Sequence, residues 1–188
     1  MKHTVAAVLV SLAASLPAAA ADSYTVDPGH TYPGFEINHL GFSTMRGTFD
    51  TSSGKVTLDP AGNGGSIEIT IDAASIDTGH AKRDEHLRSE EFFNVARFPT
   101  LTYKANRLKY DGDKLVGADG ELTLLGVTRP VSLTVTSFNC GTHPINKKPA
   151  CGANATASIK RSDFGMTTYV PAVGDEVKIS IEVEAFKN

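Results

Sequence analysis

Apolar and polar residues alternate with a period of two along most of the chain. Phe35 and Ile37 interleave with Glu36 and Asn38, Val56 and Leu58 with Lys55, Thr57 and Asp59, and Ile67, Ile69 and Ile71 with Ser66, Glu68, Thr70 and Asp72. The pattern returns at Leu101 and Tyr103, at Leu122 and Leu124, and at Val131, Leu133 and Val135. It closes with Ala155, Ala157 and Ile159, then Val177, Ile179, Ile181 and Val183. Such alternation predicts strands with one buried face, about eight of them. Asp50 to Gly54, Pro60 to Gly65 and Asp111-Gly112-Asp113 carry the turn chemistry of reversals between antiparallel neighbours. Alternation fails between Thr78 and Val95, where Leu87, Phe92 and Phe93 sit among charged residues. A short amphipathic helix capped by Thr78 and ended before Pro99 is expected there.

An all-β chain of this kind either closes into a barrel or stacks as two sheets. Closure removes the exposed edge strands, and eight strands enclose just enough space for side chains or one slim ligand. The pattern favours the barrel and leaves the sandwich open. No repeat, low-complexity tract or linker divides residues 22–188 into two domains.

The first 21 residues stand apart. Lys2 and His3 precede an uncharged apolar run from Thr4 to Leu16, followed by Pro17 and the small residues Ala18 to Ala21. This reads as a secretory signal peptide, cleaved after Ala20 or Ala21. The run is shorter than the roughly 20 residues a membrane-spanning helix needs, so the expected product is exported, periplasmic and free of stable membrane insertion, with at most transient contact with a membrane surface. In an oxidising compartment Cys140 and Cys151, the only two cysteines, are expected to form a disulfide. Closing that loop stabilises the fold by roughly 3 kcal/mol on the chain-entropy model.

Charge removes one class of partner. Eighteen basic against 21 acidic residues give a formal net charge of −3, with no basic excess to neutralise a nucleic-acid backbone. With 40% hydrophobic residues the chain is not a disordered one.

Several strings in order carry a resemblance: Tyr24-Thr25-Val26-Asp27-Pro28-Gly29-His30, Phe35-Glu36-Ile37-Asn38-His39-Leu40-Gly41 and Gly47-Thr48-Phe49. Arg83-Asp84-Glu85-His86-Leu87-Arg88-Ser89, Phe92-Phe93-Asn94-Val95 and Phe98-Pro99-Thr100-Leu101 follow. The set ends with Gly120-Glu121-Leu122-Thr123-Leu124, Gly126-Val127-Thr128-Arg129-Pro130-Val131 and Lys160-Arg161-Ser162-Asp163-Phe164-Gly165-Met166. Over essentially the whole mature length the chain resembles the YceI-like family of bacterial periplasmic proteins. The resemblance implies a lipocalin-like, eight-stranded antiparallel β-barrel with one short helix inserted between middle strands. It also implies a long apolar pore that binds polyisoprenoids such as polyprenyl phosphates or isoprenoid quinones, or related long-chain lipids and fatty amides. The Cys140–Cys151 segment is a departure from the family pattern.

The residues fit that expectation on their own terms. Small residues at inward positions, Ala105, Gly120, Ala155, Ala157 and Ala185, leave room inside a barrel. Phe35, Phe42, Met45, Phe49, Phe92, Phe93, Tyr103, Phe164 and Met166 offer adaptable apolar surface to a slender chain. Strand positions Ile37, Leu122, Leu133, Ile179 and Ile181 join them as expected pore lining. Arg83 and Arg161 are the candidate head-group ligands, since a guanidinium holds a phosphate bidentately. The competing reading makes them framework residues, paired with Asp84 and Asp163.

No catalytic residue, metal site or cofactor is expected. HExxH, GxSxG and phosphate-cradling glycine motifs are absent, and with Cys140 and Cys151 paired no free thiol remains. The alternative is a small periplasmic metal-dependent enzyme using His30 and His39 across strands. Exposed strand faces and rim loops would also allow a homodimer, which no residue pattern decides. Transport, storage and stress protection are all compatible roles for a carrier.

Overall fold

A computed structural model describes residues 21–61 and 64–188. The expected signal peptide, residues 1–21, lies outside the described residues except for its last position, and the centre of the Pro60–Gly65 turn is outside them too. Eleven strands form one sheet: β1 (Asp22–Val26), β2 (Tyr32–His39), β3 (Ser43–Phe49), β4 (Ser52–Asp59), β5 (Gly64–Asp72), β6 (Ile76–Asp77), β7 (Thr100–Asp111), β8 (Lys114–Leu124), β9 (Val127–Thr142), β10 (Pro149–Lys160) and β11 (Val173–Lys187). Every pairing is antiparallel.

These pieces make eight barrel staves. β1 and β2 are one stave broken by a 3-10 turn at Pro28–His30, and β3 and β4 are one stave bent at Asp50 and Thr51. β6 extends the stave of β5 past a second 3-10 turn to pair with β3. Each stave pairs with the next in sequence, and β11 returns to the first stave through Val26↔Ala185 on β1 and Ile37↔Val177 on β2. The result is a closed up-and-down barrel, with β6 paired on one side only.

Alternation sets the two faces. On β11, Val177, Ile179, Ile181, Val183 and Ala185 point inward, while Lys178, Ser180, Glu182 and Glu184 face outward. Gly120, expected to leave space, does not: a Cβ there would lie 2.6 Å from the Tyr103 ring, which occupies that volume. Tyr103 is anchored over it by its hydroxyl, which donates to the Val131 carbonyl at 3.0 Å and lies 3.3 Å from the Ala118 carbonyl.

The two ends differ. At the end holding both chain termini of the barrel, inward Tyr24, Leu58, Leu108, Leu115 and Cys151 are buried, and all but Leu108 also border a cavity in the interior. Cys140 and Cys151 are directly opposed on β9 and β10 at this end and are disulfide-bonded, with Cα atoms 4.1 Å apart. Both lie within strands, so the covalent link ties a hairpin ladder rather than a loose loop.

The opposite end carries the long connections. α1 (Ala81–Arg88) lies in the segment between β6 and β7, and residues 161–172 join β10 to β11. The helix starts later than expected: His80 is its N-cap, through Nδ1 accepting from the Arg83 N–H at 3.3 Å. Thr78 instead serves the charged groups of the helix. Its hydroxyl and N–H both donate to the Asp84 carboxylate, the N–H at 2.9 Å.

Candidate functional site: an apolar cavity open at one end

A cavity of about 490 Å³ runs through the barrel interior, within the range of ligand-binding pockets. Its wall is almost wholly apolar. Phe35, Ile37, Ile69, Leu133, Val135, Val177, Ile179 and Ile181 point into it and are only half-buried. Side chains that point inward in a filled core reach full burial, because protein interiors pack at crystal-like density. Here the interior is lined without being filled.

The expected lining residues divide three ways. Phe35, Ile37, Met45, Phe49, Phe92, Phe93, Tyr103, Leu122, Leu133, Met166, Ile179 and Ile181 all border the cavity. Phe42 does not: it sits on the β2–β3 turn and is 91% exposed. Phe164 does not either, being fully buried in the 3-10 turn after β10 and packed in the core. Among the small residues Ala155 and Ala185 border the cavity, whereas Ala105 and Ala157 belong to the packed core beside it.

Phe92 and Phe93 are adjacent yet do different things. The Phe93 ring meets Phe49 edge-on at 5.4 Å, deep in the barrel. Phe92 packs against His86 at 5.0 Å and Tyr169 at 6.2 Å, at the mouth. His39, Arg46, Arg83 and Tyr169 complete that mouth, and nothing in the sequence pattern marks His39, Arg46 or Tyr169 as cavity residues. The carboxylates nearby are engaged: Glu36 accepts from Arg46 Nε at 2.8 Å and Glu91 bonds His86 Nε2 at 2.5 Å.

The two arginines are used differently. Arg161 is buried, and four of its five N–H donors go to main-chain carbonyls: Gly174 at 2.8 Å, Met166 at 3.1 Å, Thr168 at 2.8 Å and Val173 at 3.0 Å. Burial lowers its pKa, and the Asp175 charge opposes that shift. Neither expected ion pair forms. Asp163 accepts from Arg129 through its carbonyl, and Asp175 rather than Asp163 faces Arg161, its carboxylate accepting from the N–H and hydroxyl of Ser162. Arg83 donates from Nε to the Thr78 hydroxyl and from Nη2 to the Thr78 carbonyl, each at 2.7 Å. It meets Asp84 only through Thr78, and its side chain borders the mouth.

His30 and His39 do not converge. His30 precedes β2 and His39 ends it, separated by roughly 30 Å of chain at 3.3 Å per residue. His30 stands with Asp27 and Glu184 on the outer wall at the packed end, the three donor atoms within 4.8 Å of one another. Its Nδ1 is hydrogen-bonded to Asp27 Oδ2 at 2.8 Å, which raises the His30 pKa and lowers that of Asp27. Glu184 adds to the rise at His30, and Asp27 also caps the 3-10 turn by accepting from the Gly29 N–H at 3.0 Å.

An eight-stranded up-and-down barrel has an interior wide enough to be filled by side chains or to hold one small ligand. The chain belongs to the YceI-like family, whose domain matches residues 24–185. It is 39% identical to Protein YceI of Salmonella arizonae over 186 residues, covering 97% of this chain and 96% of the relative. BcnA of Burkholderia cenocepacia superposes with a TM-score of 0.70 at 26% identity, covering 85% of this chain and 98% of that one. A polyisoprenoid-binding domain from Saccharophagus degradans has the same fold, with a TM-score of 0.67 at 18% identity over 88% of this chain and 98% of its own. Among the described residues no helix is long and apolar enough to cross a membrane.

Proposed function

We propose that the protein is an exported, non-enzymatic carrier that holds one long-chain apolar molecule, a polyisoprenoid or a related lipid, in the barrel. The observation that carries this reading is the row of inward aliphatic side chains left half-buried around a cavity of about 490 Å³. A prenyl or acyl chain would complete their burial, at about 0.8 kcal/mol per CH₂-sized group relative to water. Such a chain normally resides in a membrane, so its transfer into the barrel is near neutral, and selectivity falls to cavity length and head-group contacts. Both arginines border the cavity, and Arg83, which commits only Nε and one Nη2 donor to Thr78, is the head-group donor in this reading. Arg161, with its donors committed to carbonyls, serves as framework.

The test is thermal stability of delipidated protein with added polyprenyl phosphate, isoprenoid quinone or fatty amide. A true ligand at a hundred times its dissociation constant adds about 2.7 kcal/mol. A flat response to all three contradicts the proposal.

A further inference from the structure

The cavity has its mouth at one end, and that end carries three exposed large apolar side chains: Phe42 at 91%, Tyr169 at 54% and Leu40 at 52%. They belong to one rim. The Leu40 N–H donates to the Ala172 carbonyl at 2.8 Å, and the Val173 N–H donates to the Tyr169 carbonyl at 2.8 Å, fastening the β2–β3 turn to the 169–173 segment. Tyr169 and the neighbouring His39 themselves line the cavity.

The backbone supplies a second, independent observation. Leu40 and Tyr169 both adopt left-handed conformations, φ 58° and φ 62°. Glycine or asparagine is the comfortable residue there, and a bulky one costs conformational energy. Leu40 does not recover that cost by burial, and Tyr169 recovers only part of it, against the rings of Phe92 and His86. The β2–β3 turn is closed further by the Gly41 N–H on Asn38 Oδ1 at 2.9 Å and the Phe42 N–H on the His39 carbonyl at 3.0 Å.

We propose that the Leu40–Phe42–Tyr169 rim is a bilayer-docking surface: the side chains enter the lipid interface and bring the cavity mouth against the membrane, so that the apolar guest passes between them without crossing water. The inference rests on the carrier reading above, because a guest drawn from a membrane is what selects a bilayer as the occupant of this rim. Aromatic and aliphatic tips beside an opening suit the headgroup–acyl boundary. At the rim Arg46 is paired with Glu36 and His86 with Glu91, so those two cations add little attraction to an anionic surface, and Arg83 is left for the head group of a guest.

The chain contains no tryptophan, so one indole reports one place. The Phe42→Trp variant is compared with Ile145→Trp, a position 85% exposed on the β9–β10 turn at the packed end. With phosphatidylcholine vesicles the Phe42→Trp indole shifts to the blue and is quenched by lipids brominated on their tails, in low salt and in about 0.5 M salt alike; the Ile145→Trp indole does neither. The double variant Leu40→Asn/Phe42→Ser floats with vesicles at least tenfold less than wild type. Its thermal midpoint stays at or above the wild-type value, since asparagine accepts the left-handed turn. Equal responses from both indoles, or none from Phe42→Trp, overturn the proposal. So does a blue shift that grows with protein concentration in the absence of vesicles, which marks the rim as a self-association face. Organic extraction of the wild type reads the carrier hypothesis separately: lipid recovered from a protein whose Phe42→Trp variant ignores vesicles removes the docking surface and leaves the carrier standing.

Discussion

Buried among four carbonyls, Arg161 holds the segment 166–174 against the end of β10. A lysine cannot reproduce that geometry, because its ammonium is a compact point donor while guanidinium spreads donors over a plane. Arg161→Lys and Arg161→Met should therefore both cost about 3 kcal/mol or more, through carbonyls left without donors. For a domain of this size that corresponds to a fall of roughly 6–12 °C in thermal midpoint, readable by calorimetry; a lysine variant of wild-type stability would contradict the role. Tyr103 gives a pH-dependent counterpart. Burial pushes its phenol up to about 12, so the folded state keeps a proton that the unfolded state loses near 10. The unfolded state then binds fewer protons, and stability falls as pH rises through that window. Spectrophotometric titration should show Tyr103 ionising last, and Tyr103→Phe should lose that high-pH component. The positions of Arg161 and Phe164 illustrate what single residues conceal in sequence: both sit in a string suited to a site, yet the 3-10 turn that follows β10 buries them.

At the scale of elements, period-two alternation made most staves legible, because a barrel wall has one dry and one wet face. β1 and β3 lack that signal. β1 is only five residues long, and β3 alternates apolar Met45 with Arg46 and Gly47, the last placed where a Cβ would strike the Phe35 ring at 2.6 Å. The helix was legible as a loss of alternation, but its start was not, since a histidine rather than Thr78 caps it. The β9–β10 hairpin was expected as a disulfide-closed loop, and it is a disulfide-closed ladder instead. Cys140→Ser/Cys151→Ser should lower stability by about 3 kcal/mol on the loop-entropy model. Cys151 borders the cavity only at the end away from the mouth, and serine there removes little of the wall, so ligand content by extraction should be little changed. A variant that folds with native stability, or one that loses its guest while still folded, would contradict that assignment.

For the whole molecule, the closed barrel followed from eight one-faced strands, whereas the cavity did not. Whether an inward Ile179 meets another side chain or empty space depends on barrel radius and on which facing residues are small, and one sequence does not reveal those facing pairs. The division into a packed end and a mouth arises the same way, from Tyr24, Leu58 and Leu115 meeting at one end while the other is spanned only by connections. The claim that unites these observations is that the interior is built around a guest. Native mass spectrometry of the protein purified from its native source, followed by organic extraction, tests it most directly. The account predicts one long-chain apolar molecule per barrel, released on unfolding. A protein of bare polypeptide mass, with nothing extractable, would contradict it.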